Sequence, residues 1–155
     1  MEIRMARPED IPGLTDLLLQ VGEVHHKIRP DLFRSGAQKY DEKALTEILK
    51  DPNRPIFAAV EDGRLLGYCF CVLEITRDNP VLMDQKSLYI DDLCVDENAR
   101  GKHVGARLYD FAMDYARKIG CDSLTLNVWC GNDSAMKFYE SRGLKQRNIH
   151  MEARL

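Results

Sequence analysis

A chain of 155 residues is the size of one domain and can bury a core without disulfides or a metal to hold it. Its 45% hydrophobic and 30% charged residues are the balance of a globular protein, and a net charge of −3 gives no electrostatic basis for binding nucleic acid. No apolar run approaches the length that spans a bilayer and the opening MEIRMARPED lacks a signal-peptide core, so no membrane partner is expected and the expected location is cytoplasmic.

Residues 1–6 read as a short strand, with Ile3 and Met5 alternating against Glu2 and Arg4. Pro8 ends it, and a helix starting within residues 9–12 runs through Leu14, Leu17, Leu18 and Val21 at helical spacing. Residues 22–40 are expected to form a loop or broken helix, charged yet carrying Ile28, Leu32 and Phe33. His25 and His26 are adjacent, so they cannot share a helix face as the i, i+4 pair of a metal site does. Residues 41–50 read as a short helix with Ala44, Leu45, Ile48 and Leu49 inward and Asp41 as its cap.

Residues 56–61 and 64–75 read as two strands around Asp62-Gly63, a hairpin signal because the turn needs positive φ. Cys69 and Cys71 share one face of the second strand and read as small apolar core residues. The five cysteines, odd in number and without zinc-type spacing, argue against a disulfide framework and a metal site. A polar connection over residues 76–86 leads into SLYIDDLCVDENARGKHVGARL, residues 87–108. Leu88, Ile90, Leu93 and Val95 form a strand there, and Val104, Leu108, Phe111, Ala112, Tyr115 and Ile119 then recur as one face of a helix. Arg100, Gly101, Lys102 and Gly105 fall where that helix begins. A helix start offers unpaired N–H groups and partial positive charge to an anion, and glycines let the anion come close, so the junction reads as a diphosphate cradle. Neither a P-loop nor a dinucleotide glycine fingerprint is present. Gly120 closes the helix, residues 123–128 read as another strand, Asn132-Asp133-Ser134 caps a helix ending at Gly143, and residues 144–155 read as a final strand.

Two blocks resemble the signatures of the GCN5-related N-acetyltransferase (GNAT) family. The run from Arg100 to Gly105 is similar to its acetyl-CoA signature, Gln/Arg-X-X-Gly-X-Gly/Ala, with His103 in place of the first glycine. NDSAMKFYESRGL, residues 132–144, is similar to Asn-X-X-Ala-X-X-Phe-Tyr-Glu-X-X-Gly-Phe, matching at Asn132, Ala135, Phe138, Tyr139, Glu140 and Gly143, with Leu144 replacing the last aromatic.

The resemblance implies an α/β fold: a mixed, twisted sheet of about six to seven strands flanked by about four helices, one domain over residues 1–155. In it the strands ending at Val95 and Val128 splay apart and acetyl-CoA lies in the opening. The pantetheine arm would pair with Leu93, Cys94 and Val95, the pyrophosphate would fall on Arg100, Gly101, Lys102, His103, Val104, Gly105 and Ala106, and Asn132 would hydrogen-bond the arm. The Leu93 N–H would face the developing oxyanion, and Tyr139 would protonate the leaving thiolate. Candidates for the base are Asp91, Asp92 and Glu74, with Asp92 favoured. Strand alternation puts Asp91 and Asp92 on opposite faces. Members acting on ribosomal-type protein N-termini carry a Glu where this chain has Asn127. The implied function is transfer of an acetyl group from acetyl-CoA to a primary amine of a small molecule or peptide; the alternative is a non-catalytic acyl-CoA sensor. Homodimers are common in the family.

Overall fold

The hairpin marked by Asp62-Gly63 is the best place to enter the fold. Both residues take positive φ, 51° and 76°, and they join β2 (Ile56–Glu61) to β3 (Arg64–Thr76) in antiparallel register. The computed structural model describes residues 1–99 and 101–155. Around this hairpin the described residues form one sheet in the order β1-β2-β3-β4-β5, with β1 (Glu2–Met5) on the outer side of β2 and β4 (Gln85–Val95) antiparallel to β3. β5 (Ser123–Leu126) is parallel to β4, and it is reached through α3 (Val104–Lys118) as a parallel pair requires.

Side-chain alternation divides the core between the two faces of the sheet. Phe57, Ala59, Cys69 and Cys71 point to the face that α3 covers with Val104, Leu108, Ala112 and Ala116. Ile56, Ala58, Tyr68 and Phe70 point to the other face, covered by Leu14, Leu17 and Leu18 of α1 (Ile11–Ile28) and by Leu45 and Ile48 of α2 (Glu42–Ile48). Gly67 lets α3 approach closely: a Cβ there would meet the Cys94 carbonyl oxygen at 2.7 Å and Leu108 Cδ1 at 3.1 Å. Asp41 caps α2 by accepting the Ala44 N–H at 2.7 Å. α3 ends in a Schellman motif: Gly120, at φ 72°, donates to Arg117 at 3.1 Å and Cys121 donates to Ala116 at 2.9 Å. Among the described residues Cys69, Cys71, Cys121 and Cys130 form no disulfide.

Three expectations are corrected. The first helix does not break at Gly22 but continues to Ile28, where the Arg29 N–H closes on the His25 carbonyl at 2.9 Å. Gly22 serves the returning loop instead, since a Cβ there would lie 2.5 Å from the Ala37 carbonyl oxygen. The strand expected over residues 123–128 ends at Leu126. The strand expected over residues 144–155 is not formed, so the described sheet has five strands rather than six or seven, flanked by the expected four helices, the fourth being α4 (Asp133–Ser141). The tail keeps the alternation of a strand, but Ile149 and Met151 remain 76% and 84% exposed because no sheet edge runs beside them. It is held by ion pairs from Glu152 to Arg29 at 2.7 Å and from Arg154 to Asp31 at 3.4 Å.

Candidate active site

Where β4 and β5 part, the sheet opens. They pair only from Ser87 opposite Ser123 to Ile90 opposite Leu126, whereas β4 stays paired with β3 as far as Val95 opposite Gly67. From Asp91 to Val95 the β5 side of β4 therefore has no strand beside it among the described residues, and such an edge presents the backbone N–H and C=O groups of alternate residues to any extended amide chain. Leu93, Cys94 and Val95 lie along this stretch.

A β-bulge marks the parting. Phe70 sits opposite Asp92 and Cys71 opposite Ile90, which leaves Asp91 as the extra residue. The bulge corrects the alternation argument. Leu88 and Ile90 before it, and Leu93 and Val95 after it, all face the α3 core, so Asp91 and Asp92 both turn to the α1–α2 side. Asp91 accepts Lys39 Nζ at 2.7 Å and the Tyr40 hydroxyl at 3.0 Å; Asp92 accepts the Tyr68 hydroxyl at 2.8 Å. Burial pushes the Asp92 carboxyl up to about 6, although the Tyr68 hydroxyl, the Lys39 charge and the Leu93 backbone N–H each pull it back. Glu74 is not brought to this place: it lies exposed opposite Ser87, at the far end of the hairpin.

On the α3 face a pocket is lined by Val95, Ala99, Gly101, His103, Val104, Gly105, Ala106 and Phe138. His103 is the N-cap of α3 in the left-handed region, φ 58°, and no side chain caps that end. The first-turn N–H groups of Val104, Gly105 and Ala106 therefore stay open toward the pocket. A Cβ on Gly105 would project among Val95 Cγ2 at 3.4 Å, Leu93 Cδ2 at 3.8 Å and Phe138 Cζ at 4.0 Å, so glycine keeps the floor of this cradle low. Gly101 has φ 81°. The Lys102 ammonium is paired with Glu61 at 3.0 Å. Arg100 lies outside the described residues.

The second signature forms α4, which closes this side. Asn132 caps it by accepting the Ala135 N–H at 3.3 Å, leaving its amide NH2 as the group that can reach outward. Gly143, at φ 86°, ends α4 in a second Schellman motif in which the Leu144 N–H closes on the Tyr139 carbonyl at 3.2 Å. That closure fixes Tyr139, whose ring packs against Phe138 at 5.0 Å and Tyr109 at 6.2 Å. Burial, followed by the neighbouring Cys69 and Asp92, pushes the Tyr139 phenol up, so it carries its proton throughout the neutral range. Tyr139 on the α3 side and Asp92 on the α1–α2 side feel one another through the opening. Asn127 is exposed and donates to the Tyr89 hydroxyl at 3.1 Å.

Sequence reasoning passed over Tyr68, Lys39 and Tyr40. Tyr68 alternates with Phe70 as a core residue would, and nothing local marks its hydroxyl as the partner of a carboxyl 24 residues away. Lys39 and Tyr40 reach Asp91 across 52 and 51 residues of chain, a contact that only the tertiary fold makes.

Comparison with known proteins bears on this geometry. The model of the acetyltransferase (GNAT) family matches residues 22–144, a span that takes in both the bulge and the open helix end. The chain is 31% identical over 149 residues to the uncharacterized N-acetyltransferase YhfO of Bacillus subtilis (strain 168), covering 94% of this chain and 91% of that one. It superposes on a point mutant of the BH1408 protein of Bacillus halodurans with a TM-score of 0.95 at 30% identity, covering 100% and 99% of the two chains. It shares its fold with the aminoglycoside N-acetyltransferase AAC(6')-Iy, solved in complex with CoA, at a TM-score of 0.73, 16% identity and coverage of 99% and 98%. The chain thus belongs to the GNAT family of acetyltransferases.

Proposed function

We propose that the protein transfers the acetyl group of acetyl-CoA to a primary amine by direct attack, the coenzyme entering from the α3 side of the opening and the amine from the α1–α2 side. The observation that carries this reading is the unpaired edge of β4 from Asp91 to Val95, continuous with the uncapped start of α3. The residues present suit the coenzyme: an edge whose outward-facing backbone groups, at Leu93 and Val95, suit its amide arm, which would run past Cys94, and a shallow cradle kept open by Gly105 for its diphosphate along Gly101 to Ala106. The amide of Asn132 would join the arm.

Acetyl-CoA, when bound, supplies an activated acetyl thioester. The chain supplies the proton traffic and a place for charge. The Asp92 carboxylate, a stronger base than an ordinary aspartate because of its burial, takes up the proton that the amine must lose, directly or through a water. The Leu93 N–H, beside the Asp92 carboxyl, would be the donor for negative charge developing on a carbonyl oxygen. The phenol of Tyr139, kept protonated by burial, gives its proton to the departing sulfur, so an acceptor that has first released its ammonium proton to solvent gives one proton to Asp92 while Tyr139 gives one to sulfur.

Release of free CoA thiol from acetyl-CoA, followed across a panel of primary amines, tests the reading. Turnover with at least one amine supports it; tight coenzyme binding with no thiol release across the panel would favour an acyl-CoA sensor instead.

A further inference from the structure

Where β4 and β5 part, the α1–α2 side of the sheet carries two carboxylates, Asp91 and Asp92. The bulge turns both carboxylates toward it, but they are differently engaged. Asp92 is closed in by Tyr68. Asp91 is 17% exposed at its side chain and uses its two oxygens separately, one on the Tyr40 hydroxyl and one on Lys39 Nζ.

The two partners of Asp91 are held with unequal firmness. Tyr40 is fixed on three sides: its ring stacks on Phe70 with centroids 5.6 Å apart, the Arg54 guanidinium lies over it at 5.3 Å, and Arg54 also donates to its hydroxyl at 2.9 Å. Lys39 sits on the exposed loop between α1 and α2, its side chain is 46% exposed, and the bond to Asp91 at 2.7 Å is the one hydrogen bond its ammonium makes among the described residues. A lysine side chain is itself a primary alkylammonium, and here it sits on a carboxylate beside the base on the side from which an amine would enter.

We infer that Asp91 is the residue that receives the ammonium group of the acceptor, and that Lys39 is a tethered stand-in which the acceptor displaces. The inference rests on the acetyl-transfer reading above and adds to it the group that selects the acceptor: a primary alkylammonium, whether a small molecule or the end of a lysine-like chain. A neutral hydroxyl or amide compound cannot replace the charge of Lys39 and leaves the pair closed. Tyr40, locked by Phe70 and Arg54, keeps Asp91 aimed while Lys39 swings away.

The two halves of the Asp91 contact predict effects of different size. An ion pair as exposed as Lys39–Asp91 is weak, so relieving its competition tightens a cation by about two- to fivefold. Removing the Asp91 charge takes away a charge-assisted hydrogen bond to the ligand, which weakens the cation by about tenfold or more.

The test is n-butylammonium binding to the protein without acetyl-CoA, followed by NMR titration, with acetyl-CoA affinity measured separately by calorimetry. Lys39→Met is expected to bind n-butylammonium more tightly and Asp91→Asn more weakly, while both retain the acetyl-CoA affinity of the parent. Lys39 lies on an exposed loop, so Lys39→Met decides the matter even if Asp91→Asn unfolds. Weaker n-butylammonium binding in Lys39→Met, or unchanged binding in a folded Asp91→Asn, overturns the inference and leaves acetyl transfer standing. A parent protein that binds n-butylammonium as described but takes up no acetyl-CoA overturns the acetyl-transfer reading instead.

Discussion

Replacing Asp92 with asparagine should change how the stability of the fold depends on pH. Burial lifts the native carboxyl from an ordinary 3.8 to about 6, against the opposing pull of Tyr68, Lys39 and the Leu93 N–H. A native pKa above the unfolded one means that the native state holds the proton more tightly between those two values. Below the unfolded pKa both states are protonated and the side chain costs nothing. As pH rises toward 6 the cost grows, and above 6 it is fully present, at about 3 kcal/mol if each factor of ten in proton affinity is about 1.4 kcal/mol. Asparagine carries no such cost, although its NH2 group brings a pH-independent penalty of its own. The two are separated by urea melts of both proteins at pH 4.5 and 7.5. The stability of Asp92→Asn relative to the parent should rise by about 2 kcal/mol between these conditions, or about 4–8 °C in Tm for a chain of this size. A difference that stays constant with pH would refute a buried, proton-retaining carboxyl at the bulge. The same ionisation should appear in turnover, with kcat/KM of the parent falling below about pH 6 as Asp92 takes up its proton.

Three further substitutions probe the α3 side. His103→Gly relieves a left-handed residue, φ 58°, worth about 1–2 kcal/mol, and returns about 0.4–1 kcal/mol through the freer unfolded chain; thermal melts should show a small net gain and calorimetry an unchanged acetyl-CoA affinity. A loss of stability would show that the imidazole makes a contact of its own. Gly105→Ala adds a methyl that the fold accommodates, 3.4 Å from Val95 Cγ2, and its better helix propensity offsets any crowding. It should leave Tm nearly unchanged yet weaken acetyl-CoA by about tenfold or more, the loss of a charge-assisted hydrogen bond; unaltered affinity would move the diphosphate away from this helix start. Tyr139→Phe should lower kcat by about 10²–10⁴, the usual contribution of a positioned acid, with coenzyme affinity unchanged, and an undiminished kcat would strip the phenol of its role.

The parts of the fold that local chemistry dictates were legible in advance. Asp62-Gly63 specified its hairpin, Asp41 its cap, and Gly120 and Gly143 their helix ends, because each acts on atoms within a few residues of itself. The opening at Val95 came from the resemblance carried by Gly105, Asn132 and Tyr139. The bulge at Asp91 was invisible, since a bulge belongs to the register between two strands, and it reversed the inference about which faces Asp91 and Asp92 occupy. The tail failed for a related reason: Ile149 and Met151 carry a strand pattern, but a pattern of period two makes a strand only where an edge is there to receive it.

The most direct test of the central claim is a backbone-amide NMR titration of the parent protein with acetyl-CoA. The parted-strand account predicts saturable binding, with the largest shifts at residues 93–95 on the unpaired edge of β4 and at residues 101–106 around the open start of α3, and little change along β1 and β2. No binding, or shifts centred away from both segments, would contradict it.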